Sequence, residues 1–277
     1  MAYRSCNLDD MKQPRLQLYD FGTGVRAFSS TRKGGYSEGN YGEFNINHYC
    51  GDSEEAIRLN RCLLCQLLQI EDDCLIMPHQ VHKTEIVAVD EAFMRLSASE
   101  RKARLEGVDA LMTDIAGVCI GVSTADCIPV LLYDRTHHAS CAIHAGWRGT
   151  VKRIVEKAVA QMASVYGTHP SDVIVQIGPG IHLESFEVGD EVYETFADEG
   201  FAMETISRRY PANIGSATEK WHIDLPECNR QQLLASGIPS QQISVSPVDT
   251  YQQHETYFSA RRLGINSGRI LTGILMV

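Results

Sequence analysis

Apolar residues recur along this chain in two rhythms. After Ser53, the residues Ile57, Leu64 and Leu68 repeat at helical spacing, with Glu54 and Glu55 in the first turn, where the positive end of a helix favours acids. Ser53 is a suitable N-cap, so the spacing predicts a helix from Ser53 to about Gln69. A second helix is predicted over Val151–Tyr166, with Ile154, Val155, Ala158, Val159 and Met162 on one face. A third, carrying Cys228, Leu233 and Leu234, follows Pro226. Short β-branched runs bounded by turn residues predict strands at Cys74–Met77, Thr84–Val89, Val118–Val122, Ile128–Tyr133, Ala139–Ile143 and Val173–Ile177. Several are apolar on both faces, which places them between layers. Strands and helices are mixed throughout, without repeats or a linker, so the expected fold is one α/β (α+β) domain over residues 1–277 with mixed sheets.

Composition narrows the partners. The chain has 277 residues, is 44% hydrophobic and 22% charged, and carries a formal net charge of −10. That balance argues against nucleic acid or an acidic membrane surface as partner, because phosphate attraction needs a basic face. No apolar run reaches the roughly 18–20 residues that span a bilayer. Met1 to Asp10 lacks a signal-peptide pattern, so a cytoplasmic location is expected. Nine cysteines is an odd number and argues for free thiols rather than a disulfide framework. Cys50, Cys74, Cys119, Cys141 and Cys228 read as packing or incidental thiols. Cys62 and Cys65 sit on a predicted helix with no second pair, which gives them no metal or redox role. His169 and His222 read as surface or capping residues. Nothing in the pattern sets the oligomeric state.

One stretch brings chemistry together by itself. Ile128–Tyr133 and Ala139–Ile143 flank the polar run from Asp134 to His138, which predicts a hairpin. Pairing Tyr133 with Ala139 puts Ile128 opposite His144, with Cys127 one step along, at the open end of the hairpin. Cross-strand neighbours lie ~4.5–8 Å apart. A histidine beside a cysteine either activates a thiolate nucleophile or shares a soft or borderline metal. The loop from Pro78 to His82 offers two further histidines. His82, Cys127 and His144 would leave a tetrahedral ion one open position, the pattern of a catalytic zinc.

The motifs holding these residues resemble a known family. Gln80-Val-His82, Thr124-Ala-Asp-Cys127 and His144-Ala-Gly-Trp-Arg-Gly149 are similar to the hallmarks of the laccase-domain family, also called multicopper polyphenol oxidases and purine nucleoside phosphorylase YfiH-like proteins. Further matches run in order along the chain: the segment from Thr31 to Ser37, Asn45, Gly51-Asp52, Asn60-Arg61, Asp109–Thr113, Ile177–Ile181, Phe186–Gly189 and Phe258–Arg262. The resemblance implies Zn2+ held by His82, Cys127 and His144, which would also be the catalytic residues. It implies a four-layer α/β/β/α sandwich similar to the cytotoxic necrotizing factor catalytic domain. It further implies phosphorolysis of purine nucleosides, methylthioadenosine included, and hydrolytic deamination of adenosine. The chain departs from the family pattern at Asp249-Thr250, where Cys-Thr is common, and at His79.

Such chemistry needs more than a metal. Deamination requires a proton carrier; Asp126 adjoins Cys127, although its carboxylate is better suited to bracing the loop through backbone N–H groups. Phosphorolysis requires an anion site. Gly146-Trp-Arg-Gly149 precedes the helix predicted near Val151, so backbone N–H groups there, together with Arg148 and Arg61, are candidate phosphate contacts. Asn45 and Gly178 complete the candidate substrate contacts. Gly178 and Gly180 would allow close backbone approach, and Trp147 would pack the site wall. Competing readings are a copper-dependent polyphenol oxidase, a metal-free hydrolase using Cys127 and His144, a cell-wall precursor editing enzyme, and a binding protein that keeps its metal structurally. Ten scattered histidines with no His-x-His pattern are too few for a four-copper centre.

Overall fold

A computed structural model describes residues 12–211 and 218–277. The stretch Met1–Asp10, read above for a signal pattern, lies outside the described residues. In chain order the strands are β1 (Leu16–Tyr19), β2 (Val25–Ser30), β3 (Leu75–Ile76), β4 (Ile86–Ala88), β5 (Ala110–Thr113), β6 (Cys119–Thr124) and β7 (Ile128–Asp134). They continue with β8 (Ala139–Ala145), β9 (Val173–Ile177), β10 (Glu187–Val188), β11 (Ser207–Pro211), β12 (Glu219–Ile223), β13 (Ile243–Val245) and β14 (Ile270–Met276). The helices are α1 (Glu54–Leu68), α2 (Glu91–Met94), α3 (Ala98–Arg104), α4 (Trp147–Val151), α5 (Ile154–Tyr166), α6 (Asp190–Asp198), α7 (Met203–Ile206), α8 (Leu225–Ala235) and α9 (Ala260–Leu263).

Two sheets carry the molecule. A five-stranded sheet has the order β1-β2-β14-β6-β3, and a six-stranded sheet the order β13-β9-β7-β8-β5-β4. Both are mixed: β3 runs parallel to β6, β4 to β5 and β13 to β9, and the remaining pairs are antiparallel. A small third sheet orders β10-β12-β11. Residues alternate across each strand, so each sheet feeds two cores. Ala27, Ile120, Val122 and Ile274 of the first sheet meet Leu111, Leu131, Tyr133 and Ala142 of the second. The opposite face of the first sheet, with Phe28, Cys119, Leu271 and Leu275, receives Leu63, Leu64, Cys65 and Leu68 of α1. The opposite face of the second, with Val130, Leu132, Cys141 and Ile143, receives α5 and α8. Helix, sheet, sheet and helix therefore stack in that order. No helix of the described residues is long and apolar enough to cross a membrane.

Local signals act as expected at several ends. Ser53 Oγ accepts from the Ala56 N–H, and α1 ends where Gln69 turns left-handed at a φ of 60°. Asp224 accepts from the Glu227 N–H and starts α8, with Pro226 in the first turn, where its missing N–H costs nothing. The helix predicted over Val151–Tyr166 is instead two. Helix α4 begins at Trp147, with Gly146 as its N-cap, and Arg153, at a φ of 61°, breaks the path before α5. Tertiary contacts hold that break: the Arg153 guanidinium lies 3.8 Å from the Phe201 ring centroid and donates to the Glu199 carbonyl at 2.9 Å. The hairpin forms, but one residue out of the expected register. Asp134 pairs with Ala139, so Ile128 faces Ala145 and Pro129 faces His144. The cause lies in the turn, which is shorter by one residue because Asp134 joins the ladder and His138 adopts a φ of 49°.

Candidate metal centre

The two central strand connections meet at one end of the sheet pair. The chain leaves the five-stranded sheet at β3 and enters the six-stranded sheet at β4, and His82 lies on that crossing. It crosses again between β6 and β7, and Cys127 lies there, one residue before Ile128. His144 sits near the end of β8, next to the start of β7. The ligand-capable atoms of His82, Cys127 and His144 all fall within 4.8 Å of one another, and the two imidazole rings stand 76° apart. His144 is 2% exposed, Cys127 is half-buried and His82 is exposed, so the group opens to solvent on the His82 side.

Asp109, fully buried just before β5, organises the group. Its Oδ1 accepts from His144 Nδ1 at 2.7 Å and from the His82 N–H at 2.9 Å. Its Oδ2 accepts from the N–H groups of Lys83 at 2.7 Å and Val81 at 3.3 Å. The His82 backbone wraps this carboxylate in a left-handed conformation, φ 61°. The Asp109 carbonyl also accepts the His144 N–H at 2.8 Å. With Nδ1 committed to Asp109, Nε2 of His144 is the nitrogen left for a ligand, the usual carboxylate–histidine–metal arrangement. Gln80 ties the first crossing to the end of β6, where the second begins: its amide donates to the Ser123 carbonyl at 2.8 Å and accepts the Ser123 N–H at 2.7 Å. Asp126, at a φ of 86°, turns its carboxylate away from the triad, accepting from Thr250 Oγ1 at 2.8 Å and from the Arg261 N–H at 2.7 Å. These contacts brace the loop.

Space and charge are matched to a cation. A Cβ on Gly146 would lie 2.9 Å from His82 Cδ2 and 3.1 Å from Cys127 Sγ, so only glycine leaves room for the three ligands. Burial alone would raise the Cys127 thiol, but His144 and His82 outweigh it and bring the thiol to about 6. Burial opposes the charge on His144, yet the Cys127 thiolate and the Asp109 carboxylate push it up to about 9. Asp109 would also be raised by burial; hydrogen bonds from His144 and from the Lys83 and Val81 N–H groups hold it below its usual range. A ready thiolate and two imidazoles with one open side fit a borderline metal such as zinc or copper.

The triad opens into a cavity of about 200 Å³, also lined by Asn47, Tyr49, Cys50, His79, Gln80, Ser123, Thr124, Ala260, Ile265 and Arg269. Of the other expected substrate contacts, Arg61 lines a neighbouring cavity of about 600 Å³, and the rest are not among the residues lining the triad's cavity. Arg61 is spent on α1's neighbour, donating from Nε to Asp72 Oδ1 at 3.0 Å and from Nη2 to the Asp72 and Leu75 carbonyls. Arg148 is exposed, lies 4.3 Å from the ring of Trp147 on the five-residue α4, and is not among the residues lining the cavity. Trp147 packs against the helix-side core instead of a site wall. Asn45 is fully buried; its Nδ2 donates to Asp52, and its Oδ1 accepts the N–H groups of Asn47 and Arg269. Gly178 packs its backbone on Pro129 of β7, and Gly180 packs on the Asp126–Cys127 carbonyls. The departure at Asp249 also faces away, accepting from Ser185 at 2.6 Å, while His79 does line the cavity.

Several cavity residues had no role in the sequence reading. Arg269 enters from the C-terminal segment, its guanidinium donating to the carbonyls of Ile265, Ser267 and Gly268. Tyr49 stacks on His79, with centroids 4.0 Å apart, and His79 Nδ1 lies 2.7 Å from Glu106. Asp109 could have been found: a lone acid within the apolar run from Val108 to Met112 must be buried, and a buried carboxylate needs partners. Tyr49 and Arg269 carry no such signal.

A family model described as multi-copper polyphenol oxidoreductase laccase matches residues 26–277. A purine nucleoside phosphorylase of Bacteroides thetaiotaomicron is 48% identical over 252 residues, covering 91% of this chain and 92% of that protein. Adenosine deaminase RL5, from an unknown prokaryotic organism, is 42% identical over 251 residues, covering 91% of this chain and 94% of its own. Among solved structures, a YfiH protein of Bacillus licheniformis superposes with a TM-score of 0.86 at 27% identity, covering 98% of both chains. YlmD of Geobacillus stearothermophilus does so with a TM-score of 0.82 at 30% identity, covering 92% of both. By the extent of these matches, the chain belongs to the multi-copper polyphenol oxidoreductase laccase family.

Proposed function

We propose that this protein is a zinc-dependent purine nucleoside enzyme. It would phosphorolyse adenosine, inosine, guanosine and methylthioadenosine to the free base and (methylthio)ribose 1-phosphate, and deaminate adenosine to inosine. The convergence of His82, Cys127 and His144, braced by Asp109 behind and open in front, carries this reading. The names of the relatives, a purine nucleoside phosphorylase and an adenosine deaminase, supply the substrate class.

His82 Nε2 or Nδ1, Cys127 Sγ and His144 Nε2 would hold the ion. When bound, zinc supplies Lewis acidity and lowers the pKa of water to roughly 7. The residues do the rest. Asp109 keeps His144 in one tautomer, and Gly146 keeps the ligand side free. The cavity alone is smaller than the roughly 300 Å³ at which ligand pockets begin. Asn47 and Tyr49 also line a neighbouring cavity of about 600 Å³, so a nucleoside would lie across their wall. The Tyr49–His79 stack offers an aromatic face to the base; Arg269 lines the triad's cavity and Arg61, Arg101 and Lys102 the neighbouring one, and these would supply positive charge for phosphate. In phosphorolysis a phosphate oxygen bonds to C1′ as the C1′–N9 bond breaks and the base takes a proton. In deamination, water adds at C6 and ammonia leaves.

The test is turnover by protein of known metal content, with inosine plus phosphate followed by hypoxanthine release and adenosine alone followed by ammonia. Activity tracking one zinc per chain supports the reading; metal-replete protein inert toward both removes it. A cytoplasmic setting, where both substrates occur, accords with this proposal. Two other readings have an observation behind them. The family description favours copper and phenols, which oxygen uptake by copper-loaded protein would reveal. The lowered Cys127 thiol beside a His144 that holds its proton suits a metal-free thiolate hydrolase, which stoichiometric zinc in protein purified without added metal would dismiss.

A further inference from the structure

Thr124 closes β6 beside the cavity. Strand residues alternate in direction, and Ile120 and Val122 of β6 lie in the core between the two sheets. Thr124 shares their parity, so its side chain faces the six-stranded sheet at the end where Cys127 and His144 lie. The residue is 1% exposed and lines the triad's cavity. Its Oγ1 is buried and has no hydrogen-bond partner among the described residues. Other buried hydroxyls of this sheet pair are satisfied. Ser29 Oγ and Thr272 Oγ1 lie 2.6 Å apart, Ser30 Oγ accepts the Leu271 N–H at 2.9 Å, and Thr113 Oγ1 donates to the Val89 carbonyl at 2.6 Å. Among the side-chain polar atoms left unpaired in this way, Thr124 Oγ1 is the one whose residue lines the cavity.

An unpaired buried hydroxyl destabilises a fold, and valine would fill the same space without that cost. A hydroxyl kept there points to a partner that arrives with the ligand. We propose that Thr124 Oγ1 holds the attacking oxygen in both reactions, donating a hydrogen bond to a phosphate oxygen in phosphorolysis and accepting one from water in deamination. A hydroxyl suits both tasks because it donates once and accepts twice. This inference rests on the nucleoside reading above and adds a substrate-contact residue to it. No bond to Thr124 is made or broken; it orients the nucleophile.

The experiment compares Thr124→Val and Thr124→Ser with the parent protein, all loaded with zinc. Thr124→Val should lower kcat/KM roughly 10- to 100-fold for inosine with phosphate and for adenosine alone. Thr124→Ser, which keeps the hydroxyl, should stay within about threefold of the parent. Zinc content should not change, and the melting temperature of Thr124→Val should hold or rise, since an unpaired polar atom has been removed. Phosphate should also protect Thr124→Val less than the parent in thermal shift. Full activity of Thr124→Val with both substrates overturns the inference, as does a fall confined to one reaction. A drop in zinc content or melting temperature in Thr124→Val overturns it too, because the hydroxyl would then be structural. If the parent protein turns over neither substrate, the nucleoside reading fails and takes this inference with it; turnover by the parent with an unaffected Thr124→Val removes the inference alone.

Discussion

At neutral pH Cys127, at about 6, is a thiolate even without a metal, and His144, at about 9, is its imidazolium partner. Metal-free protein should therefore react with iodoacetamide at Cys127 at a rate that is level above about pH 7 and falls tenfold per pH step well below 6. A rate still climbing toward pH 9 would show an ordinary thiol; a zinc salt should block the reaction. The same pair makes little net demand on pH for stability. Cys127, lowered from 9.0, adds stability as pH rises from about 6 to 9. His144, raised from 6.5, loses it as pH rises from 6.5 to about 9, so the two slopes oppose one another across that window. Asp109 is the residue on which both depend. Its carboxylate accepts from one imidazole and three backbone N–H groups, so an amide in its place would set its own NH2 against donors. Asp109→Asn should weaken zinc binding roughly 10- to 100-fold in a competition titration with a chelating dye. Unchanged affinity would strip Asp109 of this role.

At the scale of elements, the site depends on two connections that carry the chain from one sheet to the other. Each holds a residue in a left-handed conformation, His82 and Asp126, and each is clamped by a carboxylate, Asp109 for the first and Asp126 itself for the second. Gln80 joins the first to the end of β6, where the second begins, by pairing with both backbone groups of Ser123, as a neighbouring strand would. Gln80→Ala would leave that N–H and carbonyl unpaired, at a cost of about 1–3 kcal/mol. Its expected signature is lower thermal stability and looser zinc binding with unaltered far-UV circular dichroism. A variant equal to the parent in both measures would show that the connections hold without the clamp. The break between α4 and α5 belongs to the same scale. Continuous helical periodicity hides it, and Arg153 reveals it only through Phe201 and Glu199, contacts made from over 40 residues away.

At the scale of the whole molecule, two ligands come from connections that join the two sheets and the third from β8 of the six-stranded sheet, so a bound ion would tie the sheets together at one end. A ligand that binds only the folded chain stabilises it by about 4 kcal/mol at a thousand times its dissociation constant. For a chain of this size that corresponds to a melting temperature higher by roughly 5–15 °C. Chelation should lower the transition by that amount, and equimolar zinc should restore it. An unchanged transition after metal loss, verified by elemental analysis, would contradict a shared centre.

The sequence alone determined what depends on near neighbours. Ser53 and Asp224 cap their helices because a cap needs only a side chain within three residues of its donor. The strands around Ile128, Ala139 and Val173 follow from short apolar runs, and the hairpin brings Cys127 toward His144 whichever register it takes. The identity of the triad was legible through its motifs. Tertiary structure decided the rest. The strand Ile270–Met276 lies between β2 and β6 because of partners far along the chain, and its Leu-Thr-Gly-Ile pattern favours no element strongly by itself. Arg61, Arg148 and Arg269 look equal as phosphate contacts in a string of letters; that Arg269 lines the triad's cavity, Arg61 the neighbouring one and Arg148 neither follows from which carbonyls and rings they meet after folding. Long flexible side chains choose partners by proximity, and the proximity of sequence-distant residues exists only once the sheets have packed.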